Sequence, residues 1–190
     1  MIIRKACAND ATAIARVHLA SREAIYSALT SDGGWWEESL SSRTRKWKTI
    51  LASPRTRTLV AEKNEQVVGF ANFSSSRTDG IDPGLSAEIN TTYVIPQGWR
   101  SGIGRALVTQ AIMELRSERF EEIILWCLDS NLQAREFYES LGFVACGRCR
   151  EQQMGGSVVR DLLYRVSLRC AGKEPLLKSR AHRILPDNKG

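Results

Sequence analysis

The sequence predicts a mixed α/β (α+β) fold: a central, mostly antiparallel sheet with one parallel βαβ pair, flanked by helices. Three observations carry this. Between residues 88 and 128 a β-branched and aromatic run, an amphipathic stretch and a second apolar run follow in order; this is a βαβ unit, whose strands lie parallel with a right-handed crossover. Residues 58–61 and 66–73 read as a hairpin joined through 62–65, with Asn64 suited to the turn. Residues 143–149 and 158–168 read as a closing antiparallel pair around Gly155 and Gly156.

From the start of the chain, residues 2–6 form a short first strand, and Asn9 or Asp10 can cap the helix that follows. Ile14, Val17 and Ala24 or Ile25 mark that helix's apolar side, and it ends at residues 31–34, Ser-Asp-Gly-Gly. Trp36, Leu40, Trp47 and Leu51 then recur at helical spacing, with Arg43, Arg45, Lys46 and Lys48 on a solvated face. His18, within the first helix, is read as structural. After the hairpin, residues 74–86 are polar with Gly80, Pro83 and Gly84, and read as a surface loop.

Residues 88–95 form the strand on which the rest is organised, and Pro96 stops it because proline has no N–H for a ladder. Ile103, Leu107, Ala111 and Leu115 then make a one-faced helical stripe. Between strand and helix lies Gln97-Gly98-Trp99-Arg100-Ser101-Gly102-Ile103-Gly104. Glycines let a backbone approach a ligand, unpaired N–H groups at a helix start attract phosphate, and Arg100 and Arg105 add positive charge. The turn has no Lys-Ser/Thr pair for a P-loop and no third glycine for a dinucleotide-binding fingerprint, Arg105 and Ala106 following Gly104 instead. A tight turn without a ligand is the other reading of the same residues.

Residues 122–128, Glu-Ile-Ile-Leu-Trp-Cys-Leu, suit a strand buried on both faces. Ser130 to Gln133 fits a capping box, Ala134, Phe137, Tyr138 and Leu141 form the next helix's buried face, and Gly142 is its terminator.

Composition bounds the function. At 190 residues, 43% hydrophobic and 25% charged, one globular domain is expected. No apolar run approaches the roughly 20 residues that cross a bilayer, and the first ten residues lack a signal-peptide core, so a cytoplasmic protein without membrane partners is expected. Five cysteines at irregular spacing are no disulfide framework. Cys146-Gly147-Arg148-Cys149 falls in a strand, where residues three apart face opposite ways, so no metal is expected. Of the +6 net charge, three units lie in the last twenty residues, five Lys/Arg against Glu174 and Asp187. A basic surface can steer a polyanionic coenzyme, and without a recognition motif a nucleic-acid partner is not expected.

Two blocks resemble a known family. Trp99-Arg100-Ser101-Gly102-Ile103-Gly104 after a strand is similar to the Gln/Arg-x-x-Gly-x-Gly/Ala signature of the GNAT superfamily of acetyl-CoA-dependent N-acetyltransferases, with Trp99 where Gln or Arg is usual. Leu125 to Asn131, followed by Ala134-Arg135-Glu136-Phe137-Tyr138-Glu139-Ser140-Leu141-Gly142-Phe143, resembles the family's later motif. The similarity implies an acetyltransferase domain over residues 1–170, with 171–190 a basic tail. It implies acetyl-CoA as co-substrate and a primary amine, on a small molecule or a protein, as acceptor, with direct transfer in a ternary complex.

The resemblance also implies site residues. Backbone groups of Tyr93, Val94 and Ile95 would hold the pantetheine arm as an added strand. The turn from Arg100 through Ser101, Gly102, Ile103, Gly104 and Arg105 to Ala106 would take the pyrophosphate. Asn131 and Ala134 would contribute from the second block. Glu88 would activate the amine and Tyr138 would protonate the departing sulfur. A solvated strand glutamate, a core tyrosine and a helix-capping asparagine are the plain alternatives. A non-catalytic acyl-CoA-binding module is the alternative function, and monomer and homodimer stay equally open.

Overall fold

The computed structural model describes residues 1–27, 38–154 and 157–169. The expected loop at residues 31–34, Trp36, the turn at Gly155 and Gly156 and the basic tail lie outside the described residues. Eleven elements follow in order: β1 (Ile2–Lys5), α1 (Ala11–Ser27), α2 (Leu40–Ala52), β2 (Thr56–Lys63), β3 (Gln66–Ser75), β4 (Ser86–Val94), α3 (Ile103–Arg116), β5 (Glu122–Leu128), α4 (Leu132–Glu139), β6 (Val144–Met154) and β7 (Ser157–Ser167). The strands form one sheet in the order β1-β2-β3-β4-β5-β7-β6. Every neighbouring pair is antiparallel except β4–β5. The mixed sheet with a single parallel pair is the architecture that the sequence predicts.

Strand alternation divides the core in two. Leu59, Ala61, Ala71 and Phe73 face α3 and α4, packing on Leu107, Ala111, Leu115 and Tyr138. Val60 and Phe70 face the other way, toward Ile14, Val17 and Trp47 of α1 and α2. Trp47 is anchored as well as buried: its Nε1 donates to His18 Nδ1 at 3.2 Å, and the His18 ring stacks on Tyr93 at 4.7 Å. His18 therefore has the structural place expected of it. Burial, with Arg43 nearby, lowers its pKa from 6.5 to about 3.

Local chemistry sets the element ends. The β2–β3 turn is two residues long, Asn64 and Glu65, both left-handed (φ 50° and 61°), the conformation that matches hairpin twist. Asp10 closes a 3-10 turn, Ala8–Asp10, ahead of α1; its carboxylate accepts from the Cys7 amide at 2.7 Å and from both Arg4 Nη atoms at 2.8 and 2.9 Å. Arg4 holds that carboxyl down to about 2. Ser39 caps α2, accepting from the Ser42 amide.

Two irregularities matter for the site. The parallel ladder between β4 and β5 spans only Ser86↔Glu122, Ala87↔Ile123 and Glu88↔Ile124, although both strands continue. Beyond Glu88 they separate, and the sheet is split. On the other side of β4 the register to β3 slips between Asn72 and Phe73, leaving Asn90 as a bulge.

Candidate active site

The turn after β4 is built around main chain. Pro96–Gly98 forms one 3-10 turn, and a Cβ on Gly98 would lie 3.0 Å from both Ile103 Cδ1 and Val94 Cγ1, so glycine lets the loop close against the strand without displacing either side chain. Arg100 and Gly102 follow with φ of 59° and 85°. Gly102, in the left-handed region that a side chain disfavours, is the N-cap of α3 and provides no capping side chain. Ser101 does not fill that role either; its Oγ donates to Gly98 O at 2.6 Å. The first intrahelical bond runs from the Ala106 amide to Gly102 O, so the amides of Ile103, Gly104 and Arg105 are the uncapped start of α3. Their orientation and the helix dipole make this end a receptor for anions.

That helix start opens into a groove of about 520 Å³ between the end of β4 and α4. Arg100, Gly102, Gly104 and Arg105 line one end; Thr92, Tyr93 and Val94 line the strand side; Asn131, Ala134, Phe137 and Tyr138 come from α4 and its cap. Ile95, Ser101, Ile103 and Ala106, expected in the same site, do not line it, and the Ile103 side chain is buried in the core.

The strand edge can be assigned by alternation. The Ile95 amide bonds back to Val68 O, and Val94 faces Gly69 as the next pair, so the N–H and C=O of Val94 turn away from β3, toward the split. Thr92 shares that direction, whereas Tyr93 directs its backbone groups into β3. Of the expected trio Tyr93, Val94 and Ile95, Val94 has its main-chain groups at this open edge, together with Thr92, whereas the Ile95 amide and carbonyl are bonded to Val68 and Gly98. The Val94 carbonyl already accepts from Trp99 Nε1 at 2.7 Å and from Ser21 Oγ at 2.8 Å. Two donors fill a carbonyl's two lone pairs. Trp99, which departs from the usual residue type, therefore reaches into the groove, and the sequence carried no signal of this bond.

Tyr138 lies across the groove from Thr92, 9% exposed, with its ring against Phe137 and Phe143. Burial raises its pKa, the neighbouring Cys127 adds to the rise and the Thr92 hydroxyl opposes it. Thr92 is near enough to influence Tyr138 but falls short of hydrogen-bond geometry, and its buried Oγ1 has no hydrogen-bond partner among the described residues. A buried hydroxyl without a partner beside a groove is an acceptor and donor left for a ligand. Asn131 Oδ1 accepts from the Ala134 amide at 3.0 Å, so the capping role is filled while the residue also lines the groove.

Glu88 is elsewhere. Its neighbours Ala87 and Ile89 are buried in the core on the α3 side, so its side chain emerges on the opposite face, beside a second cleft of about 510 Å³. Three groups hold its Oε2: the Arg77 amide at 2.9 Å, Thr78 Oγ1 at 3.2 Å and Ser76 Oγ at 3.4 Å. Thr78 Oγ1 in turn accepts from Trp126 Nε1 at 2.9 Å, a relay from β5 across the split to β4. The segment between β3 and β4, expected only as a surface loop, is what fixes this carboxylate. Arg77, Thr78, Trp126, Arg148 and Arg150 were not singled out from the sequence. Arg148 and Arg150, two apart on a strand, carried the one faint signal, a shared face. A β6 bulge between Ala145 and Cys149, with Gly147 at φ 79°, re-aims Arg148 into the cleft.

The acid and base candidates thus approach the split from opposite faces of the sheet, Tyr138 from the α4 side and Glu88 from the other. Cys127, beside Tyr138, is buried, and burial pushes its thiol up to about 12. Cys146 and Cys149 are free and exposed, and no group of three metal-ligating side chains occurs among the described residues. No described helix is long and apolar enough to cross a membrane.

Comparison with known proteins agrees with this geometry. Residues 22–143 match the model of the acetyltransferase (GNAT) family. The chain is 28% identical over 127 residues to a mycothiol acetyltransferase of Thermobispora bispora, an alignment covering 66% of this chain but 41% of that relative's length. It is 28% identical over 149 residues to the L-amino acid N-acyltransferase MnaT of Escherichia coli, covering 76% of this chain and 80% of that one. Among solved structures, a ribosomal-protein-alanine N-acetyltransferase of Brucella melitensis superposes with a TM-score of 0.64 at 26% identity, over 88% of this chain and 99% of that one. A strand-to-helix turn of uncapped amides, a split parallel pair and a family match over residues 22–143 point the same way, and the chain belongs to the acetyltransferase (GNAT) family.

Proposed function

We propose that the protein is an N-acetyltransferase that moves an acetyl group from acetyl-CoA to a primary amine by direct attack in a ternary complex. The observation that carries this is the split between β4 and β5, with an anion-receiving helix start at one end, Tyr138 on one face and Glu88 on the other.

The residues present fit the coenzyme. The unpartnered Thr92 Oγ1 and the outward Val94 N–H offer bonds to an extended amide chain, and a Cβ on Gly104 would lie 3.4 Å from the Phe137 ring, in space that glycine leaves open. When bound, acetyl-CoA supplies the activated thioester. The uncapped amides of α3 with Arg100 hold the phosphates. Arg105 is tethered by its Nη2 to Ser140 Oγ at 2.8 Å, which fixes the groove's outer wall.

Glu88 accepts a proton from the attacking amine, directly or through water, as the C–N bond forms; the Tyr138 hydroxyl donates its proton to the sulfur as the C–S bond breaks. Tyr138 suits the role because burial keeps it protonated and close to a thiolate that needs a proton. Cys127, held protonated, is a poor nucleophile, which favours direct transfer over a covalent acyl-enzyme.

Thiol release from acetyl-CoA against a panel of primary amines tests the reading. Glu88→Gln is expected to lower kcat/KM at neutral pH by about 10²–10⁴-fold, with partial recovery at alkaline pH and coenzyme affinity unchanged. Loss of coenzyme binding in that variant, or a flat pH response, would remove Glu88 from the proton path.

A further inference from the structure

The cleft beside Glu88 is unevenly charged. Its wall holds three guanidinium groups, Arg77, Arg148 and Arg150, against two carboxylates, Asp79 and Glu88. Arg150 is neutralised from outside the wall: its Nε donates to Asp161 at 3.1 Å, and its guanidinium lies 4.3 Å above the Trp126 ring. Arg77 and Arg148 differ. Arg77 Nη2 donates to Asn90 Oδ1 and Arg148 Nη2 to the Asp79 carbonyl, both at 2.8 Å, and neither has a carboxylate within 4 Å among the described residues. Each is thereby aimed by a neutral oxygen while most of its five donors stay unused. Asp79 contributes its main-chain oxygen to this arrangement, and Glu88 has its Oε2 filled by three donors.

Two oriented, uncompensated guanidinium groups facing an anchored carboxylate make a bipolar receptor. A guanidinium fork matches the geometry of a carboxylate, and its charge-assisted bonds are the stronger kind. The complementary ligand carries an amine at one end and an oxyanion at the other.

We infer that this cleft selects acceptors whose amine is accompanied by a carboxylate, that is, free amino acids, with Arg77 and Arg148 pairing the carboxylate while Glu88 faces the amine. The inference rests on the transferase reading above and narrows its acceptor. A protein N-terminus, whose own α-carboxylate is consumed in the peptide bond, is the disfavoured class.

The test measures thiol release from acetyl-CoA with leucine, phenylalanine and glutamate, each as the free acid and as its α-carboxamide, which stands in for a peptide N-terminus. The acids are expected to exceed the amides in kcat/KM by about tenfold or more. Arg148→Glu, at an exposed position, should lower kcat/KM for the acids and bring the ratio toward one; Arg77→Gln should move it the same way. Amides that match or exceed the acids overturn the inference and leave the transferase reading standing. If neither set is acetylated while other primary amines are, the inference is overturned and the transferase reading stands; if no primary amine is acetylated although acetyl-CoA binds, the transferase reading fails instead. Calorimetry with N-acetyl-leucine and its amide then reads the cleft without turnover. Tighter binding of the acid, weakened in Arg148→Glu, supports the carboxylate site, and equal binding overturns it.

Discussion

The two cavities flanking β4 have nearly the same volume, about 520 and 510 Å³, and opposite construction. The groove is made by main chain: an uncapped helix start, a strand edge and glycines that keep both within reach. The cleft is made by side chains of β4, β5, β6 and the loop that follows β3. Main-chain groups are the same for every sequence, so a groove of that kind can be specified by a few glycines and a strand–helix junction. A side-chain cleft has no such shorthand. It follows that the groove answers to changes in backbone geometry and the cleft to changes in charge.

The largest effect expected from the groove is chemical. Tyr138→Phe deletes one hydroxyl while keeping the packing on Phe137 and Phe143. Turnover is expected to fall by about 10²-fold, with coenzyme affinity from calorimetry within a factor of two. Unchanged turnover would reduce Tyr138 to a core residue and leave Glu88 as the sole proton-handling group.

The support behind the groove's strand wall comes next. Tyr93 follows Thr92 on β4, lines the groove and is backed by His18. His18 titrates near 6.5 when unfolded and near 3 when folded, so between those values the unfolded chain binds the extra proton and stability falls as pH falls. Protonation would also cancel the bond that His18 Nδ1 accepts from Trp47. From pH 6.5 to 4.5 the loss from this group is about 2–3 kcal/mol, readable as a lower urea midpoint. Asp10, with its folded value about 2, adds its own loss only below about pH 4. A His18→Leu variant whose midpoint still falls over that window would assign the slope to other groups.

Gly104→Leu tests the backbone character of the groove. The added side chain fills the space beside Phe137, and coenzyme affinity is expected to drop by about 30-fold, equivalent to about 2 kcal/mol, with circular dichroism unchanged. The smallest expected effect has the opposite sign. Trp99→Phe frees the Val94 carbonyl from one of its two donors, so coenzyme affinity should rise about threefold if indole and pantetheine compete for that oxygen. No change would mean that the ligand uses the Val94 N–H alone.

How far the sequence could be read follows the same division. The βαβ unit, the hairpin and the α3 stripe were legible because local periodicity and tertiary burial agree there. Arg100, Gly102, Gly104 and Tyr138, grouped from motif spacing, line one groove. The bulge at Asn90 and the early end of the β4–β5 ladder were not legible, since register depends on partners distant in the chain. For the same reason the sequence named Tyr93, Val94 and Ile95 together and could not tell that Val94, with Thr92, is the one whose main-chain groups turn away from β3. Glu88 was named for chemistry, but its anchoring by Arg77, Thr78 and Trp126 needs three segments folded together.

The bulge that re-aims Arg148 sits on β6, an edge strand with no further strand beside it among the described residues. One residue inserted or removed there would swing a different side chain toward the cleft while leaving the interior layers in place. On the proposed assignment, donor recognition is welded to the folding core, whereas acceptor recognition is mounted on its margin. Such a molecule can change clients without relearning how to fold.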